Sequence, residues 1–153
     1  MIIFDDSLIK IMKKILFSNA TYKSGIDIVA LILRLVLGSH LLINHGWGKL
    51  ISFDERSEKF IQFMGLSSQM SLGLAVFAEF FCSFLLILGL FTRLALIPLM
   101  ITMLVALKVM SWKLFGADNN ELAFLFFTGF LSIFILGPGK YSIDAMILSK
   151  RRR

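Results

Sequence analysis

At 153 residues, 58% of them hydrophobic and 17% charged, the chain has room for one domain and too few polar residues to coat a water-soluble one. Its formal charge of +6 comes from sixteen basic residues set mostly between and beyond long apolar blocks, which points to membrane orientation and away from a nucleic-acid patch. The single cysteine, Cys82, lies inside an apolar block, so an internal disulfide and a paired-cysteine metal or redox site are both excluded.

Residues 1–25 open the chain. Leu8, Ile11, Met12, Ile15 and Leu16 recur at helical spacing with Lys10, Lys13 and Lys14 off that face, the pattern of a basic amphipathic segment lying on an anionic membrane surface. The apolar run after those lysines is too short for a cleavable signal peptide, so the first span is expected to serve as an uncleaved anchor. That span covers about residues 26–51. Residues 52–69 read as an interfacial loop, with Phe60, Ile61, Phe63, Met64 and Leu66 spaced for one short helix that could act as a lid. The second span covers about 70–91, Thr92-Arg93 form a tight connection, and the third covers about 94–110, with Pro98 near its start. A polar loop holding Trp112, Lys113, Asp118 and Asn119 leads to the fourth span, about 121–136, which Gly137-Pro138-Gly139 stops. The membrane domain is drawn to residue 146, leaving 147–153 as a basic tail.

The fold class expected is an all-α membrane protein, a bundle of four transmembrane helices with both termini on one side. Ten basic residues fall on that side (Lys10, Lys13, Lys14, Lys23, Arg93, Lys140, Lys150, Arg151, Arg152, Arg153) and five on the other (Lys49, Arg56, Lys59, Lys108, Lys113). The positive-inside rule then makes both termini cytoplasmic, and it puts Trp47 and Trp112 at the outer interface.

Function concentrates in the polar groups that these spans carry into the membrane, because intramembrane charges are costly and seldom idle. At about 100° per residue, Arg34, Gly38, Leu41, His45 and Lys49 share one stripe of the first span, while His40 points elsewhere. Glu79 sits near the middle of the second span, and Lys108 and Glu121 near the outer ends of the third and fourth. Arg34, His45, Lys49, Glu79, Lys108 and Glu121 are therefore the candidate ligand-binding set, converging as a small-molecule site in a helix bundle would. His45 and Glu79 are the candidate catalytic pair, His45 as a proton donor or acceptor near neutral pH. Glu79 has three open readings: counter-ion of Arg34, counter-ion of a protonated His45, or a carboxylic acid held neutral by burial. The competing structural reading makes an Arg34–Glu79 pair a device for packing the first two helices. Gly38, Gly46, Gly48, Gly73, Ala75 and Ala78 read as small residues that let helices approach, and Cys82 as a packing residue. His40 and His45 share one helix, which does not suit a haem clamped between facing histidines, and no side-chain set has metal-site spacing.

The motifs resemble the DoxX family. Leu33-Arg34-Leu35 with Gly38 and then His45-Gly46-Trp47-Gly48-Lys49 is similar to its first helix. Ala78-Glu79-Phe80-Phe81 with Leu88-Gly89-Leu90-Phe91-Thr92-Arg93-Leu94 is similar to its second helix and turn. Glu121-Leu122-Ala123 resembles the start of the fourth helix, and Gly137-Pro138-Gly139-Lys140-Tyr141-Ser142-Ile143-Asp144 the closing motif, so the likeness runs from about 26 to 146. The resemblance implies a multi-pass protein of the bacterial inner membrane, with relatives that include the DoxD-type small subunit of a thiosulfate:quinone oxidoreductase and members tied to oxidative-stress defence. By position, Arg34, His45, Lys49, Glu79 and Glu121 match the family's polar residues.

Three functions follow as expectations. The first is a quinone-interacting subunit of a membrane oxidoreductase, with no covalently bound cofactor, a quinone as reversible ligand and a redox-enzyme partner delivering electrons. The second is a non-catalytic scaffold that recruits soluble redox enzymes through its tails. The third is a small transporter of a weak acid or lipid-like molecule, which four thin spans would support only as a homo-oligomer. The bilayer is the partner common to all three.

Overall fold

A computed structural model of the chain describes residues 23–63, 65–109 and 120–150, and all regular structure among them is helical. The amphipathic segment expected over residues 1–25 thus falls almost wholly outside the described residues, as do nearly all of the loop at 111–120 and the terminal Arg151-Arg152-Arg153.

Six helices follow in order: α1 (residues 23–51), α2 (Phe53–Ser57), α3 (Ser68–Leu88), α4 (Thr92–Val109), α5 (Asn120–Leu136) and α6 (Ile143–Lys150). Within α1 the stretch Gly25–Ile51, 27 residues, is long and apolar enough to cross a membrane, and so is α3 with 21. At 1.5 Å per residue these reach roughly 40 and 32 Å against a hydrocarbon core of ~30 Å. α4 and α5 occupy the ground expected of the third and fourth spans, with 18 and 17 residues. The central core lies between them, where Leu96, Leu99 and Met103 of α4 meet Phe126, Phe130 and Ile133 of α5. α1 packs on α3 through Gly38, where an added Cβ would stand 3.3 Å from the Ser83 carbonyl oxygen, and on α5 through Gly129, which Leu37 overlies.

Three boundaries differ from the expectation. The tight connection is Gly89-Leu90-Phe91, and Thr92 and Arg93 already belong to α4. The cause is Gly89, whose left-handed backbone (φ 69°) ends α3. In the loop after α1 the short helix falls on Phe53–Ser57, Phe60, Ile61, Phe63 and Leu66 are not helical, and Met64 lies outside the described residues. Asp54 and Glu55 in the first turn of α2 favour that choice through the helix dipole. Finally, α6 runs through residue 150 and so crosses the boundary drawn at 146.

A clasp closes one end of the bundle. Arg34, only 1% exposed, donates from Nη1 to the Pro138 carbonyl and from Nη2 to the Tyr141 carbonyl at 2.9 Å. One guanidinium fork thereby holds the strap 137–142 against α1. Asp27 adds a second fastening by accepting the Lys140 backbone N–H at 2.8 Å. The strap then delivers Asp144 to the α3–α4 turn, where its carboxylate accepts the Phe91 N–H (2.8 Å), the Thr92 N–H (2.9 Å) and the Thr92 hydroxyl (2.8 Å). These are the otherwise orphaned donors at the start of α4, capped by a residue fifty positions away in sequence rather than by a neighbour. Gly89 is required twice over: its φ is positive, and a Cβ there would stand 2.6 Å from Arg34 Nη1 and 2.7 Å from the Ser142 Cβ.

Replacing Asp144 by alanine leaves two backbone donors and a hydroxyl without this acceptor. The expected loss is about 1–3 kcal/mol of stability, read as a lowered midpoint of thermal unfolding in mild detergent. An unchanged midpoint would show that the cap contributes nothing.

Candidate functional site

The other half of the bundle is built around two widened helical turns. Leu42–Gly46 of α1 and Phe77–Cys82 of α3 are π-helical, each inserting one residue into an otherwise regular helix. Such insertions lengthen hydrogen-bond rings without breaking the helix, and they re-aim the side chains that follow. The two turns face each other, and Gly46 is where they touch. A Cβ on Gly46 would come within 2.6 Å of the Glu79 carbonyl oxygen and 2.8 Å of the Phe80 nitrogen. The helices therefore meet backbone to backbone, and no other residue type fits without separating them.

One turn beyond Gly46, Lys49 reaches across to Glu79. Its ammonium donates to both carboxylate oxygens, at 2.5 Å to Oε1, in an ion pair whose side chains are 19% and 5% exposed. Glu79 is thus neither the partner of Arg34 nor held by the clasp. Arg34 lies level with Gly89, ten residues further along α3, which is about 15 Å at 1.5 Å per residue. The stripe seen in sequence is real, but it serves two separate polar systems, one at each end.

The Lys49–Glu79 pair forms the polar part of a cavity of about 520 Å³. Its other walls come from three places: Phe60, Ile61 and Phe63 of the connection after α2, Leu74, Phe77 and Ala78 of α3, and Pro98, Ile101, Thr102 and Val105 of α4. The loop expected to act as a lid does lie over this cavity, anchored where the Phe63 N–H donates to Ser71 Oγ at 3.0 Å. Thr102 offers no free hydroxyl proton to the cavity, because its Oγ1 donates to the Pro98 carbonyl at 2.9 Å. Leu74, Phe77 and Ile101 are also exposed on the outside of the bundle, so the cavity opens on the bundle's side.

The remaining candidates are distributed as follows. His45 is half-buried on the π turn of α1, near enough to Lys49 and Glu79 to interact with their charges. The rings of His40 and His45 lie 6.3 Å apart, centroid to centroid, and His40 also meets Phe126 at 5.5 Å. Lys108 and Glu121 are exposed and do not line the cavity. Arg34 belongs to the clasp. Among the small residues, Gly38 and Gly46 sit at close helix contacts, whereas a Cβ on Gly48 or Gly73 would meet nothing within 4 Å among the described residues. In sequence Phe60 and Phe63 read only as parts of a lid, and Phe77 and Pro98 do not read as cavity walls at all. An aromatic wall looks the same in sequence as a lipid-facing residue, and only the loop's path over α3 brings these together.

A buried carboxylate that loses its cation is worse off than one replaced together with it. Lys49→Met is expected to lower stability by about 3 kcal/mol, and the double variant Lys49→Met/Glu79→Gln to recover most of that loss in the same unfolding measurement. Equal losses in the single and double variants would remove the pair from the structure's stabilising contacts.

A comparison with protein-family models matches residues 29–112 to the family described as DoxX. That stretch runs from α1 to just past the end of α4 and includes every residue of the Lys49–Glu79 cavity; the strap and Asp144 lie beyond it. Comparisons with curated proteins and with solved structures give no match.

Proposed function

The chain belongs to the DoxX family and is an integral membrane protein, and on that premise we propose that it is a quinone-interacting subunit of a membrane-associated oxidoreductase or oxidative-stress complex. The observation that carries the reading is the cavity itself: an apolar, aromatic-walled chamber, open to the bilayer, with one ion pair as its polar feature. A lipid-soluble ligand would enter from the membrane side, between Leu74 and Ile101, without passing through water. The residues fit a quinone head. Phe60, Phe63 and Phe77 offer flat apolar surfaces, and Lys49 offers a charged donor to a carbonyl oxygen. A bound quinone would supply the electron-accepting chemistry, with electrons delivered by a partner protein. The chain's own residues would orient the head and pass protons to it: Lys49 Nζ would bind the head, and Glu79, protonated as its hold on Lys49 loosens, would hand that proton to a head oxygen and be reprotonated from the neighbouring His45 ring.

The same reading keeps the four-span topology with both termini in the cytoplasm, in the inner membrane of a bacterium. Four apolar helices and the excess of basic residues on the terminal side support it.

Mass spectrometry of the organic extract from protein purified in mild detergent tests the ligand. A stoichiometric quinone is expected with the wild-type chain and a strongly reduced amount with Glu79→Gln. Quinone-dependent turnover of the assembled complex should fall by tenfold or more in His45→Ala, the scale on which a positioned proton-transfer group contributes about 10²–10⁴. A quinone-free extract together with unchanged turnover would overturn the reading in favour of a non-catalytic scaffold.

A further inference from the structure

The Lys49–Glu79 cavity does not end at its apolar side. A second hollow of about 660 Å³ continues it along the seam between α3 and α4, with Phe77 and Pro98 lining both. Helical spacing makes the two one channel. Leu74, Phe77, Phe81 and Leu85 of α3 follow at steps of three or four residues, as do Leu94, Pro98, Ile101 and Val105 of α4. Each set therefore lies on one face of its helix, and the two faces run side by side from the ion pair to Leu90 and Phe91 at the α3–α4 turn.

The extension differs in chemistry from the cavity. Its walls are hydrocarbon apart from the Cys82 thiol, which is only 2% exposed, and Phe81, Phe91, Leu94 and Ile97 are open to the outside of the bundle. Such a groove accepts a long apolar chain, and the depth of its polar end restricts the head that chain can carry. Glu79 lies eleven residues after Ser68 and nine before Leu88, about 17 and 14 Å from the two ends of α3. It is thus near the middle of a hydrocarbon layer ~30 Å thick. A phospholipid with its tail in the groove and its head at Lys49 would carry a phosphate to that depth, at the cost that keeps lone charges out of membranes. Placed the other way round, it would lay a chain end against the ion pair and make no use of it. A small uncharged head with hydrogen-bond acceptors meets both conditions.

Resting on the function proposed above, we propose that this groove holds the prenyl tail of the quinone whose head occupies the Lys49–Glu79 cavity, so that the site selects long-tailed quinones over short-tailed ones. The tail leaves lipid as apolar as the groove itself, so its gain comes from close packing against fixed walls and not from hydrophobic transfer. Ala95, 3% exposed on the groove's floor, leaves the depth a chain needs, and a larger side chain there would fill that space. Phe77, common to both hollows, stands where head and tail join.

Binding of two probes to the full-length chain in phospholipid nanodiscs tests this: a benzoquinone with a single-isoprene tail and one with a long polyprenyl tail, each concentration counted per lipid. The long-tailed probe should bind about tenfold more tightly, the worth of roughly ten good carbon contacts. Ala95→Leu should cut that ratio to about twofold or less, and so should Leu94→Trp at the exposed rim, which asks nothing of the core. Glu79→Gln should weaken both probes. A photoreactive group at the end of the long tail should mark the stretch 85–94. Equal affinity of the two probes would overturn the groove while leaving the cavity's quinone standing. No binding of either probe would overturn both. A phospholipid carrying the same photoreactive group that marks 85–94 as strongly, and is not displaced by the long-tailed quinone, would give the groove to bilayer lipid instead.

Discussion

Gly46 seated on the Glu79 carbonyl is the contact from which the upper half of this bundle follows. Two helices of ordinary side chains stay roughly 8–10 Å apart; here two widened turns meet with no side chain between them. That approach puts Lys49 within reach of a carboxylate that would otherwise be stranded in an apolar helix. The resulting Lys49–Glu79 pair, with α4 and residues 60–63, lines the chamber. The insertions in α1 and α3 work as a pair, because widening one turn alone would leave Gly46 facing a ridge rather than a carbonyl.

The polar residues of the chain fall into two systems with different physical logic. At one end Arg34 gives its hydrogen bonds to main-chain carbonyls, and Asp144 takes its own from main-chain donors. Charges spent on backbone groups fix geometry, and at this end only the buried Arg34 Nε is without a partner among the described residues of the clasp. At the other end Lys49 and Glu79 bind each other, an arrangement that either partner can leave if a third group replaces it. Arg34 is therefore a fastening, and Lys49 with Glu79 is the part of the molecule able to exchange partners.

Sequence periodicity located α1, α3, α4 and α5 to within about three residues, because long apolar blocks bounded by glycine, proline and charge have few alternative structures. It also picked out Glu79, His45 and Lys49. Pairing was harder to read. Arg34 and Glu79 have complementary charges on adjacent helices, but charge complementarity says nothing of position along the axis, and the two prove to lie about 15 Å apart. The carbonyls that satisfy Arg34 belong to Pro138 and Tyr141, and a backbone carbonyl leaves no mark in a sequence. The π insertions were invisible for a related reason: nothing in the residue types of 42–46 and 77–82 marks a wider turn, which shows only where the two stretches pack against each other.

The clasp also orders events in time. The acceptors of Arg34 are 104 and 107 residues away along the chain. A ribosome adding about 5–20 residues per second needs roughly 5–20 s to make the stretch between them. Throughout that interval α1 carries an arginine without its final partners, and α4 begins without the cap that Asp144 supplies. The last helix to be synthesised thus acts as a latch on the first. Until it closes, α1 is held to α3 only through the contacts at Gly38, Gly46 and Lys49.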